Sequence, residues 1–432
     1  MSVPDDSILI LGAGIFGTST AYHLAKTYRN PDRITVIDRT ASPPDLAAST
    51  DINKIIRADY SSRFYCDLAY EALDAWKTWP ELQPYYHQSG WIMLDGEDSD
   101  LAERIRRVFR DRGHDLTSDM ELGELDERWG GCLNGTDTTG LKNGYWNPEA
   151  GWCEAAAATG SLMEAAKRLG VRYVTADVVG VELDGARVSG LRTAKGELLT
   201  ADKIVIATGA WTSSLLSPLE NELNIPEDER VEKQAQAAGV AVAHYKMTDQ
   251  EMSQLRDMPV VVYGESGEVI PPPLSNRLLK FTNARTFTNI ETTKSGHKIS
   301  VPPNRDQHIV SDRLKRETET HMMSKVMPAF AKGKTADYWR ICWDARTPTQ
   351  DWLLCRHPDD RLSNLYFSVG GSFHSYKFLP NAGKYMVNVL NGTGNGEERD
   401  RAWGWKKAGA GWRGAHEKTA PKRDLKDLDY GE

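Results

Sequence analysis

The chain has 432 residues, of which 40% are hydrophobic and 26% charged, a composition typical of a globular protein large enough for two domains. Its net charge of −8 argues against general binding to nucleic acid or to an anionic membrane surface, and no apolar run of about 18 residues predicts a membrane span. The five cysteines are widely spaced and form no CxxC pair, so we expect neither a disulfide framework nor a metal site. Because a strand is predicted from residue 7 and the sequence ends in Tyr-Gly-Glu, we expect no signal peptide, no peroxisomal tripeptide and a cytoplasmic location.

The first predicted unit is a strand, a glycine turn, a helix and a second strand. A short apolar strand precedes the motif GAGIFG at 12–17, and the second apolar strand ends at Asp38. Gly12 permits the tight turn, Gly14 lets a pyrophosphate approach the backbone, and Gly17 lets the helix pack on the strand. A carboxylate at Asp38 can accept hydrogen bonds from ribose hydroxyls. The unit therefore predicts dinucleotide binding, although it leaves open which dinucleotide binds.

The elements that follow no longer alternate strand and helix as a parallel sheet requires. A helix is predicted at 62–79, a strand at 90–94 and a charged amphipathic helix at 101–112. This change predicts that a second domain begins near residue 61.

The dinucleotide-binding pattern resumes near residue 151. Its predicted elements are a helix at 155–169, a small antiparallel meander within 171–201, a buried strand at 203–207, and later a strand at 365–369 and a helix at 382–390. Residues 231–330 return to mixed strands and polar helices. After residue 391 the chain is rich in glycine, charge and tryptophan without periodicity, which predicts a tail laid over the body or partly disordered.

The strand at 203–207 ends in the motif ATGAW, whose glycine lets the backbone pass close to a flat cofactor. Small residues end many parallel strands, so this motif alone is weak evidence. A βαβ start, an inserted meander and then ATGAW is an organisation more typical of FAD, because one-domain NAD folds lack the interruption. FAD is therefore favoured, and NAD stays the alternative at this point.

A second glycine loop, VGGSFHSYKFLP at 369–380, lies between a predicted strand and a predicted helix. Its backbone N–H groups are suited to stabilise the electron-rich end of a reduced flavin. Lys377 stands among aromatic residues, where burial of an ammonium is costly unless an anion pairs with it. The pattern indicates either an anion-binding lysine or an ordinary surface lysine.

The chain resembles the sarcosine oxidase and fructosyl amino acid oxidase (amadoriase) group of the D-amino-acid oxidase superfamily, from its first strand to about Leu390. The segments that carry the resemblance are, in order, GAGIFGTSTAYHLA, DINKIIR, YYHQSGW, EAGW, ATGAW, RICWDARTPTQDWLLCRHP and GGSFHSYKFLP. The resemblance implies an enzyme that oxidises the C–N bond of a secondary amine by passing hydride to FAD. Reoxidation of the flavin by O2 then gives hydrogen peroxide, and the imine product hydrolyses.

The resemblance also implies an α/β fold. It combines a Rossmann-like FAD-binding domain of the glutathione-reductase type with a second α+β substrate domain built on a mixed antiparallel sheet. We expect residues 1–60, 151–230 and 335–390 in the first domain, 61–150 and 231–334 in the second, and 391–432 in a C-terminal tail.

Five residues match catalytic or substrate-binding positions of the family. Cys342 matches the cysteine bonded to the flavin 8α-methyl, with a buried inert cysteine as the alternative. Lys54 matches a cation over the flavin face, and Lys280 matches the lysine that activates O2 by stabilising the anion formed on its first reduction. Arg57 and Lys377 match the pair that binds the substrate carboxylate. Without the resemblance, each of these cations is equally typical of a solvated surface.

The residues expected to contact FAD come from both glycine loops, the ATGAW motif and the segments between them. They are Gly12, Gly14, Ile15, Phe16, Gly17, Asp38, Arg39, Thr50, Lys54, Val178, Ala207, Gly209, Trp211, Cys342, Gly371, Phe373, His374, Tyr376 and Lys377. A packing role is an equal alternative for His374. Cys355 falls outside the matching position and is expected to be structural.

One position departs from the amadoriase pattern. Amadoriases carry an acidic residue four positions after the lysine that corresponds to Lys280, where it hydrogen-bonds the sugar hydroxyls, and this chain has Ala284 there. A methyl group cannot make those bonds, which argues against turnover of fructosyl amino acids.

We therefore predict oxidation, by FAD and O2, of a secondary (N-alkyl or N-methyl) amino acid or a related carboxylate-bearing amine in a monomeric enzyme. Its partners would be the small-molecule amine and O2, with no nucleic acid and no membrane. The first alternative is a fructosyl amino acid oxidase with a different sugar contact. The second is an amine oxidase of secondary metabolism whose imine feeds a ring closure. From other classes, an FAD-binding protein without turnover and an NAD-linked dehydrogenase stay open.

Overall fold

A six-stranded sheet carries the first glycine turn at one of its central strands. The computed structural model describes residues 5–185, 187–406 and 421–429. The strands of this sheet lie in the spatial order Leu353–Arg356, Leu365–Val369, Lys203–Ile206, Ile8–Leu11, Ile34–Asp38 and Arg172–Thr175. All neighbours are parallel except the first pair. The central strands are buried, which explains why they are uninterrupted apolar runs in the sequence.

Helix Ile15–Thr27 packs on this sheet and lies against helices Ala155–Arg168 and Ala382–Leu390. Gly383 makes one of these contacts possible, because a Cβ there would lie 2.1 Å from the carbonyl group of Ser19. The Gly383 N–H also donates to the Ser19 hydroxyl at 2.7 Å. This close packing fixes the helix whose N-terminus forms part of the glycine turn.

An eight-stranded sheet forms the second layer of the molecule. Its strands lie in the order Tyr338–Arg346, Gln236–Lys246, Leu278–Asn283, Gly267–Ile270, Val260–Tyr263, Trp91–Gly96, Leu141–Asn147 and Ser118–Met120. Its neighbours are antiparallel except for Val260–Tyr263 beside Trp91–Gly96, which run parallel. The predicted α/β class with a mixed second sheet is confirmed.

Smaller sheets and the helices complete the described chain. One three-stranded sheet is the predicted meander, formed by Val178–Asp184, Arg187–Thr193 and Leu198–Leu199. A second three-stranded sheet contains Lys54–Ile56, Gly151–Cys153 and Tyr86–His87. A two-stranded sheet pairs Ile290–Thr292 with Lys298–Ser300. Further α-helices in the described ranges are Arg63–Thr78, Leu101–Arg112, Thr212–Glu222, Asp249–Gln254, Asp312–Thr318, Ser324–Val326, Pro328–Ala331, Glu397–Trp403 and Leu425–Asp429.

Strand Tyr338–Arg346 corrects one expected boundary. It falls in the segment 335–390 that the sequence assigns to the FAD-binding domain, but it pairs with Gln236–Lys246 in the eight-stranded sheet. Its side chains alternate, with Ile341 and Trp343 in the hydrophobic core and Cys342 lining a cavity, which suits a sheet with two different faces. The other domain boundaries stay predictions.

The C-terminal part of the chain begins with a helix packed on the body. Helix Glu397–Trp403 buries Trp403 completely. Residues 407–420 and 430–432 of the expected tail lie outside the described residues. Within the described ranges, no helix combines the length and the apolar character needed to cross a membrane.

Candidate active site

A cavity of about 1050 Å³ is lined by residues of both large sheets. All the residues predicted to bind cofactor or substrate or to take part in catalysis line it, with two exceptions. Gly17 instead packs on the glycine turn, because a Cβ there would lie 1.8 Å from the carbonyl oxygen of Gly12. Thr50 lies next to the lining residues Ser49 and Asp51. The structure therefore brings residues from distant segments of the chain to one site.

The backbone of the first glycine turn adopts a conformation that requires glycine at its first position. Gly12 has a φ of +107°, and a Cβ there would lie 2.3 Å from the carbonyl oxygen of Ala207. A Cβ at Gly14 would meet nothing closer than 3.5 Å, the distance to the hydroxyl of Ser49. The backbone of Gly14 is thus open to close approach by a ligand.

Asp38 is held in place by the backbone that surrounds it. Its carboxylate accepts hydrogen bonds from the N–H groups of Ala13 and Arg39, each at 2.8 Å. Burial raises the pKa of Asp38, and these hydrogen bonds oppose the shift. The two oxygens retain lone pairs for further donors such as hydroxyl groups. Arg39 stacks on Trp211 with its Cζ 5.0 Å from the ring centre, so these two predicted residues form one wall.

The buried carboxylate of Asp51 lies between two lysines. Its Oδ2 is 2.6 Å from the Nζ of Lys280 and 3.1 Å from the Nζ of Lys54. Lys280 also donates to the carbonyl of Asn53 at 2.9 Å. Burial raises the pKa of Asp51, but the two lysines hold it well below its usual range. Burial lowers the pKa of Lys280, and Asp51 opposes this, so the cluster carries one net positive charge when all three groups are ionised.

Cys342 is buried at the edge of this cluster. Its Sγ lies 3.8 Å from the Nζ of Lys54. Burial would lower the pKa of Lys54, but negative charge on Cys342 and Asp51 raises it above its usual value. The sulfur atom therefore lies at the cavity wall beside an ammonium group.

Arg57 and Lys377 form a second group of cations. The Cζ of Arg57 lies 4.8 Å from the ring centre of Tyr60 and 4.7 Å from that of Trp91. Its Nη1 is buried and has no hydrogen-bond partner in the described part of the chain. Lys377 donates to the Tyr60 hydroxyl at 3.0 Å and to the carbonyl of His374. Burial, and then repulsion from Arg57, lower the pKa of Lys377 well below its usual value. An anion bound here would offset both the loss of solvation of the ammonium and its repulsion from Arg57.

The second glycine loop is held by a half-buried aspartate. Asp344 accepts hydrogen bonds from the N–H groups of Phe373 at 2.7 Å and Ala345 at 2.8 Å. A Cβ at Gly371 would lie 2.7 Å from the Asp344 carboxylate. Ser372 and Phe373 have φ values of 48° and 63°, a conformation that costs residues other than glycine roughly 1–3 kcal/mol each. Strain of this size is typical of backbone that is held in place for function.

His374 is engaged at both ring nitrogens. Nε2 lies 2.8 Å from the carbonyl of Gln350, and Nδ1 lies 3.1 Å from the hydroxyl of Tyr60. The imidazole thus fixes Tyr60, which in turn accepts from Lys377. These contacts favour a positioning role over direct proton transfer by His374.

The family model for FAD dependent oxidoreductases matches this chain over residues 7–389. The protein belongs to that family. The predicted superfamily, the enzyme class and the FAD cofactor are thereby confirmed.

Named relatives cover nearly the whole chain. L-Saccharopine oxidase from Schizosaccharomyces pombe (strain 972) is 26% identical, with 93% of each chain covered. Monomeric sarcosine oxidase from Bacillus sp. (strain B-0618) is 23% identical, with 88% of this chain and 91% of that one covered. Among solved structures, the modified fructosyl peptide oxidase from Aspergillus nidulans is similar with a TM-score of 0.84, 26% identity and 99% of each chain covered. The predicted resemblance to sarcosine oxidases and amadoriases is confirmed.

The cavity suits FAD in size and in chemistry. Ligand pockets typically measure about 300–1000 Å³, so this one is large enough for a dinucleotide together with a small substrate. The hydroxyl oxygen of Ser49, which lines the cavity, is buried without a partner among the described residues and is available to a bound ligand. Gly14 and Asp38 are suited to the pyrophosphate and the ribose, and the residues around Cys342 to the flavin.

Several residues of the site were not found from the sequence. They are Asp51, Tyr60, Glu268 and Asp344. Asp344 carried a usable signal, because it follows Cys342 by two residues on a strand and therefore shares its face. Asp51 begins the quoted segment DINKIIR, but the bond that defines its role joins it to a residue 229 positions away.

Proposed function

We propose that this protein uses FAD and O2 to oxidise the C–N bond of a secondary amino acid or a related carboxylate-bearing amine, giving an imine and hydrogen peroxide. The observation that carries the proposal is the pair of Arg57 and Lys377, two cations at the Tyr60 ring with one buried guanidinium N–H unused. Saccharopine and sarcosine, which appear in the names of two relatives, are both secondary amines that bear carboxylates.

The substrate carboxylate would bind at Arg57 and Lys377. The unused Nη1 of Arg57 supplies a hydrogen bond, and Lys377 supplies a positive charge. Because His374 and Lys377 both contact the hydroxyl of Tyr60, the anion site is rigid before the substrate arrives. A rigid anchor fixes the position of the adjacent C–N bond and lowers the entropic cost of reaction.

The amine must be neutral before its α-carbon can release hydride. Arg57, Lys280 and Lys377 line the cavity and disfavour a positive charge on the reacting nitrogen, so they lower the pKa of a bound amine and promote loss of its proton. When bound, FAD supplies the acceptor for the hydride and the route of the electrons to O2. Lys280, kept charged by Asp51, is suited to stabilise the negative charge that develops on O2.

We also propose that FAD is attached covalently through Cys342. The Sγ is buried, the residue lines the cavity, and the ammonium of Lys54 lies 3.8 Å away. Cys355 is unsuited to this role, because it lies on the edge strand of the six-stranded sheet and does not line the cavity.

Fructosyl amino acid oxidation is the second candidate, and the structural similarity to a fructosyl peptide oxidase favours it. Ala284 lines the cavity at the position where the amadoriase pattern has an acid. Any sugar contact would therefore have to come from another residue.

Anaerobic reduction of the flavin tests the proposal. The purified protein is mixed without O2 with sarcosine, N-methyl amino acids, pipecolate, saccharopine or fructosyl-valine, and the flavin absorbance is followed. We expect bleaching by at least one of the carboxylate-bearing amines that carry no sugar, and peroxide release once air is admitted. Arg57→Ala should raise KM for that amine about tenfold or more, with a smaller effect on its neutral amide.

Two results would count against this function. Bleaching by fructosyl-valine alone would favour the second candidate. Reduction of the flavin by none of the secondary amines would contradict amine oxidation altogether.

A further inference from the structure

Glu268 lies on the cavity side of the eight-stranded sheet. It is directly opposite Thr282 on one neighbouring strand and opposite Val262 on the other, and opposed residues share a face of a sheet. Lys280 precedes Thr282 by two residues and therefore lies on the same face. All four residues line the cavity, so Glu268 presents a carboxylate to the space that holds the candidate oxygen-activating lysine.

The carboxylate of Glu268 is available to a ligand. It makes no hydrogen bond or ion pair in residues 5–185, 187–406 and 421–429, although it is half-buried. The nearby lysines are bonded elsewhere, Lys280 to Asp51 and Lys377 to Tyr60. Burial lowers the pKa of both lysines, and the charge of Glu268 opposes that shift without a direct bond to either.

The neighbours of Glu268 also favour a hydrogen-bond donor or a cation. The Oγ1 of Thr282, directly opposite, is buried and has no hydrogen-bond partner among the residues that the structure describes, so it can accept a hydrogen bond. Glu97, Asp98 and Glu265 line the same cavity and are exposed, so part of its mouth is acidic, while the exposed Arg39 also lines the cavity. Such carboxylates attract cations and repel further carboxylates.

We propose that Glu268 binds a second positive charge on the substrate, an ammonium group carried on a chain beyond the reacting secondary amine. This inference rests on the proposed function, in which Arg57 and Lys377 hold the carboxylate at the other end. The substrate class is then an N-substituted amino acid with a distal primary amine. Such a molecule is complementary to a cavity with cations at one position and an unpaired carboxylate at another.

A matched pair of substrates isolates the distal charge. N-(5-aminopentyl)glycine and N-hexylglycine have the same number of heavy atoms and the same reacting end, and they differ in one terminal ammonium. We expect kcat/KM of the holoenzyme to be about 10- to 100-fold higher for the aminopentyl compound, the range of a hydrogen bond to a charged group. The Glu268→Gln variant should lose most of this preference, measured as the ratio of kcat/KM for the two compounds.

Binding is measured separately from turnover with non-oxidisable thioethers. (5-Aminopentylthio)acetate should perturb the flavin spectrum at a Kd at least tenfold lower than (hexylthio)acetate, and only in proteins that retain Glu268. Glu265→Gln is the control, because it removes an exposed carboxylate of the mouth and should change the preference less than about twofold.

The outcomes separate this inference from the proposed function. Equal kcat/KM of the wild type for the two glycines would overturn the role of Glu268 while leaving amine oxidation intact, even if the variant failed to fold. If Glu268→Gln lowered kcat/KM equally for both compounds, the carboxylate would act on the charges of the nearby lysines and would not bind the substrate. Failure of the wild type to oxidise either glycine or any other secondary amine would instead contradict the proposed function.

Discussion

Individual charges in the cavity are distinguished by whether they already have a partner. Lys280 and Lys54 share the carboxylate of Asp51, whereas Arg57 keeps an unused buried N–H. A cation that is paired with a carboxylate is held in place, and its charge is partly balanced. Such a cation is suited to stabilise negative charge that develops during a reaction. A cation with an unused N–H group attracts an anion from solution. Positively charged residues of one cavity thus serve two tasks, according to their neighbours.

Substitution of Asp51 tests whether it keeps Lys280 charged. Asp51 raises the pKa of Lys280 against the effect of burial, so Asp51→Asn should lower that pKa further. Lys280 would then lose its proton at a lower pH, and the rate of flavin reoxidation by O2 should begin to fall at a lower pH than in the wild type. Stopped-flow mixing of the reduced protein with O2 across a pH series measures this.

Two further variants serve as controls for Asp51→Asn. Lys280→Met should slow reoxidation at every pH while sparing anaerobic reduction. Asp59→Asn removes another buried aspartate that lines the cavity, and since Asp59 interacts with Arg57 and not with Lys280 it should leave the reoxidation profile in place. An unshifted profile in Asp51→Asn would show that Asp51 does not set the charge of Lys280.

Attachment of the flavin is a property of one sulfur atom. If Cys342 forms the bond, acid precipitation of the wild type leaves a yellow pellet, and the intact mass exceeds that of the polypeptide by about one FAD. Cys342→Ala should give a colourless pellet and a yellow supernatant. Cys355→Ala should behave as the wild type, because Cys355 does not line the cavity. A colourless pellet from flavin-loaded wild type would rule out covalent attachment.

At the scale of helices and strands, local pattern was sufficient for some parts of the fold and not for others. The first strand, its glycine turn and Asp38 were predictable because apolar runs and glycine spacing determine them locally. The pairing of Tyr338–Arg346 with Gln236–Lys246 was not predictable, because it joins segments about 100 residues apart. An apolar strand is compatible with either of the two large sheets, so its sequence does not decide between them. Cys342 lines the cavity in the structure, although its strand belongs to the eight-stranded sheet and not to the expected one.

The contacts that define the site depend on register between distant strands. Glu268 faces the cavity because it is opposite Thr282, and a shift of one residue would turn it to the other face. Nothing in the local sequence fixes that register, so the availability of Glu268 could be seen only in the structure. The cations of the site were predicted because the family motifs mark them individually.

Across the whole molecule, helix Glu397–Trp403 completes an aromatic cluster behind the active site. Trp403 stacks on Trp352 with ring centres 4.8 Å apart, and Trp352 contacts Phe16 of the first glycine turn and Phe378 of the second loop. Tyr65 links this cluster to His374. The end of the chain therefore supports both glycine loops through packing.

Removal of Trp403 should loosen this support. Trp403→Ala deletes a fully buried indole, and such changes typically cost about 3–5 kcal/mol of unfolding free energy. Urea unfolding followed by tryptophan fluorescence measures the loss, and a flavin spectrum in the native buffer range reports whether the site itself is disturbed. Leu274→Ala is the control, since Leu274 is 87% exposed and its truncation should change stability by less than about 0.5 kcal/mol. If Trp403→Ala unfolded at the same urea concentration as Leu274→Ala, the helix Glu397–Trp403 would not contribute to stability. The rigidity of the two glycine loops would then have to come from the helices packed on the six-stranded sheet.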